Sequence, residues 1–201
     1  MPGREPEIFL LRHGATEWSA TGRHTGRTDV PLTPEGEREA PGTGRTLSAL
    51  RGTATAPALV LASPRCRASR TAELAGLRVS ETTADLAEWD YGDYEGLTTP
   101  QIRQAVPHWT VWSHPVPGGE TADEVGARAR KVLDRARAAL SDGDVVLVGH
   151  GHFGRVLIAA WLGMPAENGV HFALEPASVT ALGHERGQPQ LHQLNVPPME
   201  D

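Results

Sequence analysis

Arg12-His13-Gly14 sets a permanent cation, an imidazole and a permissive backbone position side by side. Arginine's planar fork fits phosphate or carboxylate. Histidine is the side chain most easily poised as base or nucleophile near neutral pH, and glycine lets the backbone come close to a ligand. The same chemistry recurs in Ser63-Pro64-Arg65-Cys66-Arg67 and in Gly149-His150-Gly151-His152. Arg-His-Gly alone says little, but three such groups can converge into a pocket for a compact dianion, with phosphate the obvious choice. The rival for the histidines is a metal site. His150 and His152 flank a glycine, yet no nearby Asp, Glu or Cys completes a usual zinc spacing, so no metal is expected. Moving a phosphoryl group off an ester needs charge neutralisation, a nucleophile and an acid for the leaving oxygen. Glu88, Asp90, Asp93 and Glu95 are the candidates for the acid, expected to be kept protonated by neighbouring negative charge or burial. Periodicity does not choose among them.

Each of the three groups follows an apolar run, at 8–11, 58–62 and 144–148, that reads as a buried strand. In a parallel sheet such strand ends share one edge, where open α/β sheets place their ligands. Thr33-Pro34-Glu35 opens a helix with a cap, a first-turn proline and an acid. Pro41 and two glycines should leave that helix kinked or short. Further helices are expected at 65–75, 99–106 and 153–162, and the best over 121–140, with Val125, Ala129, Val132, Leu133 and Ala136 on one face. A short strand is expected at 77–79 and late strands at 178–183 and 190–194. Residues 18–29, 88–96 and 115–119 read as loops. Strands alternating with helices predict a three-layer α/β/α domain with a mostly parallel central sheet.

Composition narrows the function classes. Hydrophobic content of 39% and charged content of 22% describe an ordinary globular chain, and a net charge of -6 offers no general attraction to nucleic acid or anionic lipid. Cys66 is the only cysteine, so no internal disulfide forms, which fits a reducing cytoplasm. Glu5 and Glu7 argue against a secretion signal, and no apolar stretch approaches the roughly 20 residues a bilayer span needs. Trp18, Trp89, Tyr91, Tyr94, Trp109 and Trp112 fall in or near expected loops, either lining a mouth or packing beneath it.

The motif 11–19, Leu-Arg-His-Gly-Ala-Thr-Glu-Trp-Ser, resembles the signature of the histidine phosphatase superfamily, phosphoglycerate-mutase-like branch. The likeness continues through Gly22 to Gly26, Asp29 to Thr33, Ser63-Pro64 with Arg67 and Thr71, Glu88 to Gly96, Gly118-Gly119-Glu120 and Gly149-His150-Gly151. Ser19, where many members carry Asn, and the Glu88 segment are most similar to bacterial acid phosphatases, with sedoheptulose-bisphosphatase-type enzymes sharing much of the pattern. The resemblance implies one domain over residues 1–201. It makes His13 the nucleophile, Arg12, Arg67 and His150 the phosphoryl clamp, and Glu88 the proton donor that later activates water. Gly14, Ser19, Thr25, Gly26, Tyr91 and Gly151 would help hold substrate. Arg155 matches an arginine that grips a second phosphate in bisphosphatase-like members; a structural arginine early in a helix is the alternative.

A mutase would hold a bisphosphate cofactor under extra basic residues and a closing tail. Here Trp112 is followed by Ser113 and His114 rather than an arginine pair, and residues 197–201 are short and acidic. A phosphomonoester hydrolase acting on small phosphorylated metabolites without a cofactor is therefore expected. Its partner is a small phosphorylated substrate, with no nucleic acid and no membrane, and a homodimer is allowed. A phosphoglycerate mutase, a sugar bisphosphatase and a phospho-ligand-binding module are the alternatives.

Overall fold

A computed structural model describes residues 4–200 of the chain. Six strands form one sheet: β1 (Ile8–Arg12), β2 (Leu59–Ala62), β3 (Glu81–Thr82), β4 (Val145–Gly149), β5 (Val179–Glu185) and β6 (Gln188–Val196). They lie in the order β3-β2-β4-β1-β5-β6. The pairs β1–β4, β2–β4 and β2–β3 are parallel, while β5 and β6 close one side antiparallel. The three expected strands are thus neighbours running the same way.

Strand side chains alternate between faces, and both faces are apolar. Ile8, Leu10, Val145 and Leu147 enter one buried cluster, while Phe9, Leu11, Val146 and Val148 enter the other. Helices α5 (Ala122–Ala139) and α6 (Gly151–Trp161) cover the first face. The five α5 residues placed on one face by periodicity are all buried. Helices α2 (Pro34–Arg51) and α3 (Cys66–Leu74) cover the second face. This is the expected three-layer arrangement. Two short helices, α1 (Glu17–Ala20) and α4 (Thr99–Ala105), lie in the connecting segments, and each is closed by a capping box.

The structure corrects several expectations. Helix α2 runs unbroken for 18 residues despite Pro41. The proline forfeits only the bond to the Glu37 carbonyl, and the glycines serve packing. A Cβ on Gly42 would stand 2.5 Å from the Met199 carbonyl oxygen, and one on Gly44 2.4 Å from that of Ala75. Close approach of neighbouring backbone therefore offsets poor helix propensity. The short strand lies at Glu81–Thr82, not 77–79; Leu77 and Val79 instead pack against the second cluster. Helix α6 begins two residues before the expected Phe153, which bears directly on the site.

Candidate active site

The carboxyl ends of β1, β2 and β4 deliver His13, Ser63 and His150 to one rim. Within it lies a cleft of about 170 Å³, whose walls include Arg12, His13, Glu88, Gly151 and Arg155. The rings of His13 and His150 stand edge to face, 5.2 Å between centroids. His13 Nδ1 lies 2.7 Å from the Gly14 carbonyl oxygen. A carbonyl only accepts, so Nδ1 carries the proton. Burial, then Arg12 and Arg67, hold the His13 imidazole well below its ordinary pKa. The ring is therefore neutral at neutral pH, and Nε2 keeps its lone pair. His150 is likewise held well below its ordinary value by burial, then by His13 and the surrounding arginines. Its Nε2 lies 2.7 Å from Ser63 Oγ.

Both arginines are half committed. Arg12 donates to the Leu174 carbonyl. Arg67, fully buried, donates to the carbonyls of Thr28 and Thr25, 3.0 Å each. Among the described residues' buried donors without partners are Arg12 Nε, Arg67 Nε and His150 Nδ1, with Arg65 Nε a fourth on the segment after β2. Buried donors are nearly always satisfied in folded proteins, so three orphans at one rim mark the place of an absent acceptor. Gly151 makes room for this set, since a Cβ there would lie 3.3 Å from the Arg12 guanidinium.

Glu88 sits at the same rim and is buried. One carboxyl oxygen accepts from the Trp89 and Phe153 N–H groups at 2.9 and 2.7 Å, and the other from the His152 N–H at 3.0 Å. Helix α6 has no side-chain cap from its own N-cap residue, His150. Glu88 supplies that cap from 64 residues away and lets the helix start at Gly151. This acid was expected to be kept protonated by neighbouring negative charge or burial; it is buried, and the groups on its oxygens are main-chain donors rather than a second carboxylate. The other three acids have structural partners. Glu95 accepts from the Gly26 and Thr28 N–H groups and Asp90 pairs with Arg27, while Asp93 is tied through its main chain, its N–H donating to the Pro117 carbonyl. Arg128, absent from the sequence reading, braces the Glu88 segment. It donates to the Ala87 and Asp85 carbonyls at 2.7 and 3.0 Å and pairs with Glu120 at 2.7 Å.

Ser19, Thr25, Tyr91, Gly151 and Arg155 line the cleft. Arg67 and His150, both buried at the rim, are not part of its lining, and neither are Gly14 and Gly26. The Gly14 N–H donates to Thr71 Oγ1 at 3.0 Å, and a Cβ on it would stand 2.6 Å from the Gly36 carbonyl oxygen. The Gly26 N–H is taken by Glu95, and a Cβ there would meet the Trp89 carbonyl at 2.5 Å. Both glycines act through close packing behind the site. His24 and His152 also line the cleft, though the sequence assigned neither. His152 Nδ1 lies 2.6 Å from the Tyr91 hydroxyl, and His24 packs 4.7 Å from the Tyr91 ring. Burial holds both imidazoles low, His24 to about 4. Trp89 and Trp109 are buried beneath the loops, so packing is their role. Among the described residues, no group of three or more His, Cys, Asp or Glu is placed to hold a metal ion.

An anion cup around an imidazole with a free lone pair, with a carboxyl group beside it, defines a phosphoryl-transfer site. The sequence pattern of the histidine phosphatase superfamily, branch 1, matches residues 8–197. The chain is 46% identical over 193 residues to an acid phosphatase of Mycobacterium tuberculosis, covering 96% of this chain and 94% of that protein. It is 33% identical over 190 residues to the sedoheptulose 1,7-bisphosphatase of Saccharomyces cerevisiae, covering 82% and 70%. A solved Mycobacterium tuberculosis structure matches with a TM-score of 0.91 and 46% identity, over 96% of this chain and 99% of that one. The chain belongs to the histidine phosphatase superfamily, and it is a phosphatase. Among the described residues no helix is long and apolar enough to cross a membrane.

Proposed function

We propose that the protein hydrolyses small phosphate monoesters in two steps through a phosphohistidine at His13. The observation that carries this reading is the trio of orphaned donors, Arg12 Nε, Arg67 Nε and His150 Nδ1, around the His13 ring. A phosphoryl group accepts from all three, and they neutralise charge that spreads over its oxygens in a loose transition state. His13 Nε2 attacks phosphorus as the ester P–O bond breaks, and Glu88, having taken up a proton from solvent, gives it to the leaving oxygen. Glu88 then takes a proton from water, the hydroxide oxygen displaces His13 from phosphorus, and inorganic phosphate leaves. Ser19, Thr25, Tyr91 and Arg155 face the leaving group.

Hydrolysis is favoured over mutase chemistry by the placement of the C-terminal segment. The Pro197 carbonyl accepts from Thr46 Oγ1 at 2.9 Å, and the Met199 carbonyl from Arg45 at 2.8 Å, so residues 197–199 lie along α2 rather than over the cleft. The single cysteine supports a reducing, cytoplasmic setting. A second phosphate on the substrate is supported by Arg155, which stacks 4.6 Å over Trp112 and donates to the Gly169 and Val170 carbonyls. That clamp holds its charge at the cleft wall without a carboxylate partner among the described residues. The experiment is phosphate release from a panel of phosphorylated sugars, acids and alcohols by the wild type and His13→Ala. Turnover surviving in a folded His13→Ala protein overturns the nucleophile. Efficient interconversion of 2- and 3-phosphoglycerate with bisphosphoglycerate added, and little hydrolysis, overturns the reaction class.

A further inference from the structure

A neutral imidazole has a single ring proton, and its position decides whether the ring donates to an anion or repels it. The two histidines of the cup meet this requirement differently. His13 has its proton fixed on Nδ1 by the Gly14 carbonyl, which only accepts. The partner of His150 is a hydroxyl, which can do either. Ser63 is fully buried at the end of β2, with Oγ 2.7 Å from His150 Nε2. The same Oγ accepts the Arg65 N–H at 3.4 Å. Its own hydrogen then has one acceptor in reach among the described residues, His150 Nε2. In the reverse arrangement Nε2–H would donate to Ser63, the hydroxyl hydrogen would lack an acceptor, and the Nδ1 lone pair would oppose a phosphoryl oxygen. His150 Nδ1, buried and without a hydrogen-bond partner among the described residues, is the ring nitrogen left to meet an acceptor.

We propose that Ser63 is a positioning residue: its hydroxyl donates to His150 Nε2 and so keeps the ring proton on Nδ1, where it meets a phosphoryl oxygen. This rests on the phosphoryl cup proposed above. The low proton affinity of the buried ring makes the device necessary, because an imidazolium would donate from both nitrogens whatever Ser63 did. The cup then holds two neutral imidazoles in complementary roles. One is locked by a main-chain acceptor to leave a nucleophilic lone pair; the other is locked by a side-chain donor to leave a proton.

The test reads the tautomer directly. In the full chain labelled with 15N-histidine and free of ligand near neutral pH, long-range proton–nitrogen correlations report which ring nitrogen of His150 is protonated, with the signal assigned by its loss in His150→Gln. The wild type is expected to show Nδ1–H. Ser63→Ala should populate Nε2–H, and Ser63→Thr, which keeps the hydroxyl, should retain Nδ1–H. Alongside, kcat/KM for p-nitrophenyl phosphate should fall about 10- to 100-fold in Ser63→Ala, the loss of one charge-assisted hydrogen bond. A wild-type ring found as Nε2–H or imidazolium overturns the proposal. So does a Ser63→Ala protein that keeps both the Nδ1–H form and its activity. If Ser63→Ala does not fold, the wild-type and Ser63→Thr spectra still decide. Turnover by His13→Ala would overturn the phosphohistidine reading and leave the tautomer result standing, so the two failures are distinguishable.

Discussion

His24 gives the protein an acid-sensitive stability that can be worked out from its surroundings. Its ring packs between Tyr91 at 4.7 Å and Trp109 at 5.2 Å, lies 5.9 Å from His152, and has Nε2 3.2 Å from Thr99 Oγ1. Burial disfavours the charged ring and, with Glu95 recovering only part, pushes its pKa down to about 4. In the unfolded chain it titrates near 6.5. The unfolded state therefore binds the proton first, so the full stability is present above pH 6.5 and is lost as pH falls towards 4. The loss is about 3 kcal/mol below the folded value, with about 2 kcal/mol already gone at pH 5. His13, His150 and His152 are depressed in the same direction, so the wild type loses more than this in total. His24→Phe keeps an aromatic ring among Tyr91 and Trp109 and removes the titration. Urea denaturation of both proteins between pH 7 and 5 isolates the His24 share. The stability difference between them should move by about 2 kcal/mol in favour of His24→Phe as pH falls. Parallel loss in the two proteins would refute the argument.

Three further outcomes follow from the geometry. Gly36→Ala places a Cβ 2.3 Å from the Ala15 carbonyl, so backbone must shift directly behind the His13 loop; thermal melts should show about 1–3 kcal/mol of destabilisation, with a matching loss of kcat. Arg128→Met removes the clamp on the Ala87 and Asp85 carbonyls and leaves the Glu120 carboxylate with the Asp90 N–H alone, so the Glu88 segment loosens; chemical denaturation should report a loss of about 2–3 kcal/mol, and kcat should fall more than KM rises. Arg155→Met keeps apolar contact with Trp112 and removes the cation. Steady-state kinetics should show KM rising about tenfold for a sugar bisphosphate, with little change for p-nitrophenyl phosphate.

Much of the architecture was legible in one dimension because buried parallel strands and amphipathic helices write their burial into local pattern. The apolar runs ending at Arg12, Ala62 and Gly149 became β1, β2 and β4 in adjacent parallel register, and α5 buried the stripe its 3.6-residue period marked. Pro41 misled because propensity is local, whereas α2 is held by contacts with Met199 and Ala75 far along the chain. Residue types named the phosphate chemistry, and the family likeness singled out Glu88 from four acids.

What no local pattern could supply was the pairing of distant polar groups. Helix α6 lacks a capping side chain of its own, so its true start at Gly151 is visible only once Glu88 accepts the His152 and Phe153 N–H groups. The neutral state of His13 and His150 likewise comes from burial among arginines, and Ser63 becomes a neighbour of His150 only when β2 aligns with β4. The sequence determined which chemical groups were present and which strand ends carried them. The tertiary structure decided their protonation and partners, because desolvation and hydrogen bonding depend on distance in space rather than along the chain.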